Sequence, residues 1–314
     1  MAKKTRVAAP AGENPRRPCP CGSGKRFKAC HGAGDDVIVT RPFEGLAAEC
    51  DLVALREFLP SATATLPLRT LPSGSAPDRP VTLASVLPGA SAALVRPSGD
   101  VLLGMQVQTR SGDLSADLAR ALEWALAAEP GTALPVVGPG LTGTDRLQDL
   151  LDVDAQLDLT LHTDFAWWVA PEDGSEPTAE VLATVERAND VIMPTEAVLG
   201  EGVRAAYWVD TGTKAHLRWV RPEPEDRLVA ALARLQARGE LGLGEGTKYA
   251  GSFRAHGLLV PVWDLDRELH SSEWSKPVTD FAASLEQALA ETAPLTSEER
   301  RARDALAGKQ VTLR

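Results

Sequence analysis

The chain has 314 residues, 44% hydrophobic and 24% charged, a balance that excludes wholesale disorder and suits one large or two modest globular domains. No apolar run approaches the roughly 20 residues of a membrane-spanning helix, and the basic first residues lack the apolar core of a secretory signal. The net charge of −10 is unevenly spread: residues 1–34 hold eight bases against the single acid Glu13, a charge of +7 that leaves the remainder near −17. An acidic body repels nucleic acid and stays in solution, whereas the basic arm is either a docking arm for an acidic partner or a solvated leader.

Residues 1–17, rich in Ala, Pro and charge, read as a disordered basic tail, and a cysteine-bearing module follows at 18–34. Asp35 and Asp36 mark a break before the body. Helical spacing over 44–58 stops at Pro60, and 66–70 and 81–86 read as short strands around a loop at 72–80. A strand–strand–helix pattern then begins. Segments 93–95 and 101–107 flank a turn at 97–100, and a helix places Leu114, Leu118, Ala121, Leu122 and Ala125 on one face. The stretch 130–143, with four glycines and three prolines, is the expected linker between a first half of the body (35–130) and a second (144–295).

Beyond it, Leu157, Leu159, Leu161, Phe165, Trp167 and Val169 alternate as one face of a predicted strand, with His162, Asp164 and Trp168 on the other. A helix at 180–188 precedes a hairpin of 206–210 and 215–220. The next helix carries Leu228, Ala231, Leu232 and Leu235. A second hairpin, 249–254 and 258–263, turns at 255–257, and a helix entered through Pro277 presents Val278, Phe281, Ala282, Leu285 and Leu289. In the last segment, 296–314, Thr296 and Glu299 have capping-box spacing before a charged helix. Strands grouped in adjacent pairs favour antiparallel sheets with helices on one face, an α+β fold.

Three of the four cysteines fall within 18–32, PCPCGSGKRFKACHG. Cys19, Cys21, Cys30 and His31 supply four donors from two tight clusters, the set that tetrahedral zinc takes, and a full set of protein ligands implies a structural metal. Thiolate-rich sites also take iron. Lys25, Arg26 and Lys28 would offset the negative zinc–thiolate charge and favour thiolate. So short a segment buries no core, so metal binding would fold it. A Cys19–Cys21 redox pair is the alternative. Cysteine use fits a reducing compartment, and a cytoplasmic location is expected.

These residues resemble the SEC-C motif, the metal-binding tail of the SecA preprotein translocase: Cys-x-Cys, a Gly-Ser-Gly-Lys turn, a basic–aromatic–basic segment and Cys-His. The resemblance implies a zinc module that docks on a chaperone, a translocation component or the ribosome. It covers only this segment, and no Gly-x-x-x-x-Gly-Lys-Ser/Thr accompanies it, so the chain is not a SecA ATPase. The whole chain is also similar to a group of uncharacterised actinobacterial proteins that place this motif before a body ending like GKQVTLR.

Elsewhere the candidates are weaker. Residues 239–246, GELGLGEG, lead from a helix into a strand, the reverse of a phosphate cradle, and read as a turn. His162 and Asp164 on one strand face, with His256 at a hairpin tip, are the candidate residues of an enzyme site; an exposed sheet face and a turn residue are the alternatives. Asp152 and Asp154 begin like a calcium loop, but Leu157 stands where glycine is required. Cys50 reads as an apolar helix residue. Trp208, Trp219 and Trp263 line either a groove or the core. The expectation is a cytoplasmic Zn2+-binding adaptor that binds another protein, against two rivals: an enzyme with its site in the body, or a ribosome- or RNA-associated factor acting through the basic arm.

Overall fold

The computed structural model describes residues 38–69, 79–106, 111–138, 145–169, 178–309 and 311. The expected tail (1–17), metal module (18–34) and break at Asp35 and Asp36 lie outside these residues, as do most of the 72–80 loop, Val107 and the end of the 130–143 stretch. Val39–Arg314 form one compact unit, and its strands build two sheets.

The first sheet contains β1 (Ala62–Thr65), β2 (Val81–Ala84), β3 (Ala93–Val95), β4 (Val101–Gly104), β5 (Ala133–Leu134) and β6 (Thr160–Leu161), in the order β5-β3-β4-β2-β1-β6. Its β2–β4 pair is parallel and its other pairs are antiparallel. The second sheet, β10-β11-β9-β8-β7, is antiparallel throughout: β7 (Thr195–Ala197), β8 (Ala206–Asp210), β9 (Ala215–Trp219), β10 (Lys248–Ala255) and β11 (Leu258–Leu265). The helices are α1 (Glu49–Glu57), α2 (Leu114–Ala127), α3 (Leu147–Leu150), α4 (Ala179–Asn189), α5 (Glu225–Arg238), α6 (Ser275–Ala290) and α7 (Ser297–Ala307). The α+β class is as expected, and the strand–strand–helix pattern recurs as β3-β4-α2, β8-β9-α5 and β10-β11-α6.

Local chemistry explains the boundaries. Asp113 caps α2 by accepting from the backbone N–H groups of Ser115 and Ala116, and Thr296 with Glu299 forms the capping box of α7. The β10–β11 turn has His256 at φ 45° and Gly257 at φ 81°, the two positive angles of a tight hairpin turn.

Three expectations need correction. The first helix starts at Glu49 rather than near 44, because Gly45 turns the chain at φ 90° just before it. The strand expected at 66–70 lies earlier, at β1, between Pro60 and Pro67; Leu68 makes only an isolated bridge to Leu151. The long strand expected over 157–169 shrinks to β6. There the carboxylate of Asp164 accepts from Ala166 N–H at 2.9 Å and Asn189 accepts from Phe165 N–H at 2.8 Å, and the chain coils into a short 3-10 turn at Ala166–Val169. Within 130–143, Ala133 and Leu134 form the edge strand β5.

The central strands of the second sheet are covered on both faces. Alternation sends Ala206, Trp208, Ala215, Leu217, Trp219, Leu259, Trp263 and Leu265 into one core with α5, α6 and α7. It sends Tyr207, Val209, Leu258 and Val260 into the other, with α1, α2 and the first sheet. On β10 the parity changes: Tyr249 joins the first of these cores, whereas Phe253 and Ala255 join the second. A bulge between Tyr249 and Gly251 causes this, since those two residues oppose adjacent Trp263 and Val262.

Gly251 sits at φ 141° and touches the C-terminal segment, where Ser252 N–H donates to Lys309 O at 3.1 Å and Val311 N–H donates to Ser252 O at 3.0 Å. A Cβ at Gly251 would lie 2.6 Å from Lys309 O. Gly251→Ala should therefore cost roughly 1–3 kcal/mol and release this segment from β10. The checks are a lower urea midpoint and loss of hydrogen-exchange protection at Val311; a midpoint equal to wild type contradicts the assignment.

Candidate functional site

The four metal donors inferred from sequence, Cys19, Cys21, Cys30 and His31, lie outside the described residues. Among the described residues no group of three or more His, Cys, Asp or Glu side chains is placed to hold a metal, and no helix is long and apolar enough to cross a membrane. Three thiols and one imidazole fit tetrahedral zinc as a donor set.

His162 and Asp164 do not form an acid–base pair. The His162 ring places Nε2 2.8 Å from Thr63 Oγ1 and stacks 5.6 Å from Trp167, and burial pushes its pKa down, with Asp164 opposing. Trp167 Nε1–H donates to Ser61 Oγ at 2.9 Å, and Trp168 Nε1–H donates to Val86 O at 3.1 Å. These residues clamp the segment after β6 onto the first sheet. His256 sits on the β10–β11 turn, with Nε2 2.8 Å from Glu57 and its ring 5.9 Å from Phe43. It shares no partner with His162 or Asp164.

Trp208, Trp219 and Trp263 are buried, at 9%, 1% and 0% exposure, and pack around Phe281 and α5, so they belong to the core rather than to a groove. Residues 239–246 connect α5 to β10 as expected of a turn, with Leu241 and Leu243 buried. In the rejected calcium pattern, Asp152 accepts from Asp154 N–H at 3.2 Å. Cys50 is half-buried on α1, and burial, reinforced by Glu49 and Asp51, pushes its thiol up to about 12.

Two features escaped sequence reasoning. A cleft of about 560 Å³ lies between α5, β10 and α7, floored by Val229, Tyr249 and Leu306 and rimmed by the Arg254–Glu225 ion pair. On the inner face of β9, Arg218 is only 3% exposed and its Nε has no hydrogen-bond partner, and the same is true of Nδ1 of neighbouring His216. The available signal was His-x-Arg in an otherwise apolar strand, whose meaning depended on knowing that both sheet faces are covered.

Taken together, the described residues define an α+β protein, joined to a short Cys/His motif at residues 18–32. Residues 42–314 match the family of unknown function DUF5926, and the chain belongs to that family. Residues 18–33 match the SEC-C motif, which contains all four inferred donors. Comparison with curated proteins and with solved structures gives no match.

The Glu57–His256 contact carries a pH signature. The hydrogen bond from His256 holds the Glu57 carboxyl below the usual carboxylate range, against burial and together with the charges of His256 and Arg56. A depressed folded pKa means that the native state binds fewer protons, so the stabilisation is complete above the unfolded value of about 4.3 and is lost as pH falls through the folded value. Glu57→Gln should lower stability near neutral pH by roughly 0.5–1.5 kcal/mol. Urea midpoints measured down the acid limb should show the gap from wild type closing; a constant gap is the contrary result.

Proposed function

We propose that this protein is a zinc-dependent docking protein of the cytoplasm, in which Cys19, Cys21, Cys30 and His31 hold Zn2+ and the metal-folded module recruits a protein partner. The observation that carries the reading is the SEC-C match over residues 18–33, which includes every donor of a closed tetrahedral set. When bound, the metal supplies the coordinate bonds that close a segment too short to bury a core. Lys25, Arg26 and Lys28 balance the thiolate charge and leave a basic surface. A module with that surface suits an acidic partner, and the resemblance supports a chaperone, a translocation component or the ribosome. Nucleic acid enters only through the same basic arm, since the rest of the chain is acidic.

The test pairs metal content with partner capture. Wild type should hold one zinc per chain, and a Cys19→Ala/Cys21→Ala variant none, with the melting temperature of the body unchanged; collapse of that melting transition would end the modular reading. Affinity purification of the two chains side by side should lose the partner in the variant. Steep weakening with salt and sensitivity to ribonuclease would mark RNA as the bound species instead.

A thiol titration gives an independent count. After chelation, three thiols should react rapidly with Ellman's reagent near neutral pH, while Cys50, whose thiol is pushed up to about 12, reacts only on denaturation. Four fast thiols in the folded chelated protein would contradict the assignment.

A further inference from the structure

Among the described residues, the buried arginines are paired with acids, with one exception. Arg221, 5% exposed, donates to Glu223 at 2.6 Å and to Glu286 at 2.9 Å. Arg234, 6% exposed, lies 3.4 Å from Glu291 and donates to Ala293 O at 2.7 Å. Arg218 is more buried than either, at 3%, and no acid is paired with its guanidinium among the described residues. Burial alone pushes it down to about 10. Its guanidinium lies against the ring of Phe58, 5.6 Å from Cζ, and, behind burial, its charge also pushes the neighbouring His216 down. A cation–π contact repays a fraction of what desolvating a guanidinium costs. The chain has 43 acids against 33 bases, so an unpaired buried arginine is not a shortage of partners.

A row of basic side chains leads to Arg218 along the same strand face. Lys214, His216 and Arg218 recur at every second residue, so they share one face running from the β8–β9 turn inward. Side-chain exposure falls from 49% at Lys214 to 17% at His216. Asp264 occupies the outer two, 2.5 Å from Lys214 and 3.3 Å from His216 Nε2, and leaves Arg218 untouched. His216 Nδ1 is buried without a partner. Tyr207 and Val262 flank Arg218 in register on β8 and β11, and Phe58 packs 5.8 Å from Tyr207.

We propose that Arg218, with His216 as its neighbour, anchors a binding site for a small oxyanion, the carboxylate or phosphate group of a low-molecular-weight ligand, walled by Phe58 and Tyr207. The planar guanidinium fork matches either group with two parallel hydrogen bonds. The ligand supplies the negative charge that the chain withholds from this one arginine.

The experiment is thermal unfolding of the full chain at constant ionic strength, with inorganic phosphate, pyrophosphate, succinate and citrate each titrated against a chloride control. At least one probe should raise the wild-type melting temperature saturably, by roughly 5 °C at a hundredfold excess over its Kd. The phosphate or the carboxylate arm that responds gives the ligand class. Arg218→Met should abolish that shift and, without probe, melt no lower than wild type, because it removes an unpaired buried charge. Arg218→Lys, which keeps the charge and loses the fork, should weaken the response at least tenfold in midpoint concentration. A wild-type chain that no probe stabilises beyond chloride overturns the site, as does a wild-type-sized shift in Arg218→Met or, should that variant not fold, in Arg218→Lys.

Discussion

The central strands of the second sheet are covered on both faces, and most of the body follows from that constraint. Ala215, Leu217 and Trp219 of β9 and Leu259, Trp263 and Leu265 of β11 enter the core under α5 and α6, while Leu258 and Val260 of β11 enter the core built on α1 and the first sheet. A one-residue slip would exchange the two sets, placing Trp219 and Trp263 where Arg218 and Val262 now stand. Burying a large apolar side chain is worth about 1.5–3 kcal/mol, so the register is strongly specified. The bulge at Gly251 reconciles β10 with this scheme. It lets Tyr249 reach one core and Phe253 the other, and brings the backbone of β10 against Lys309.

Helix α1 carries the polar side of the same arrangement. Its acids Glu49, Asp51 and Glu57 receive Arg41, Arg204 and His256 respectively. Each partner reaches onward or belongs to a distant element. Arg41 also donates to Pro222 O after β9, Arg204 donates to Leu157 O, and His256 sits in the β10–β11 turn. Burial raises the Asp51 carboxyl even with Arg204 against it, so this pair is poor evidence of net stabilisation. Its use is orientation, because loss of either partner would strand a buried charge.

Elements whose signal is local were legible in the sequence. The capping box at Thr296, the hairpin turn at His256–Gly257 and the helix faces of α2, α5 and α6 rest on residues within one or two turns of one another. The failures were non-local. Alternation from Leu157 to Val169 looked like a strand, yet only Thr160 and Leu161 pair with β1; Leu157 and Leu159 pack into the first core, and Phe165 and Trp167 join the aromatic packing at the 3-10 turn, where Phe165 lies 4.3 Å from Trp168. Conversely, β1 was missed because Ala-Thr-Ala-Thr has little apolar contrast; its place is decided by the neighbours β2 and β6 rather than by its own hydrophobicity.

The same division separates the two candidate sites. A metal motif is written within a short stretch because its donors must converge without a scaffold, so the spacing of Cys19, Cys21, Cys30 and His31 suggests donors with no fold in hand, and these residues lie outside the described ones. Arg218 carries no such signature. In sequence, Ala-His-Leu-Arg-Trp is a strand with a polar face, and a polar face ordinarily meets water. Only the packing of α1 over that face, with Phe58 against Tyr207 and Phe253, turns an unremarked surface arginine into a buried one. Among the described residues the fold supplies acids to Arg204, Arg221 and Arg234 and none to Arg218, whose guanidinium meets the ring of Phe58; the proposed oxyanion would provide the missing opposite charge.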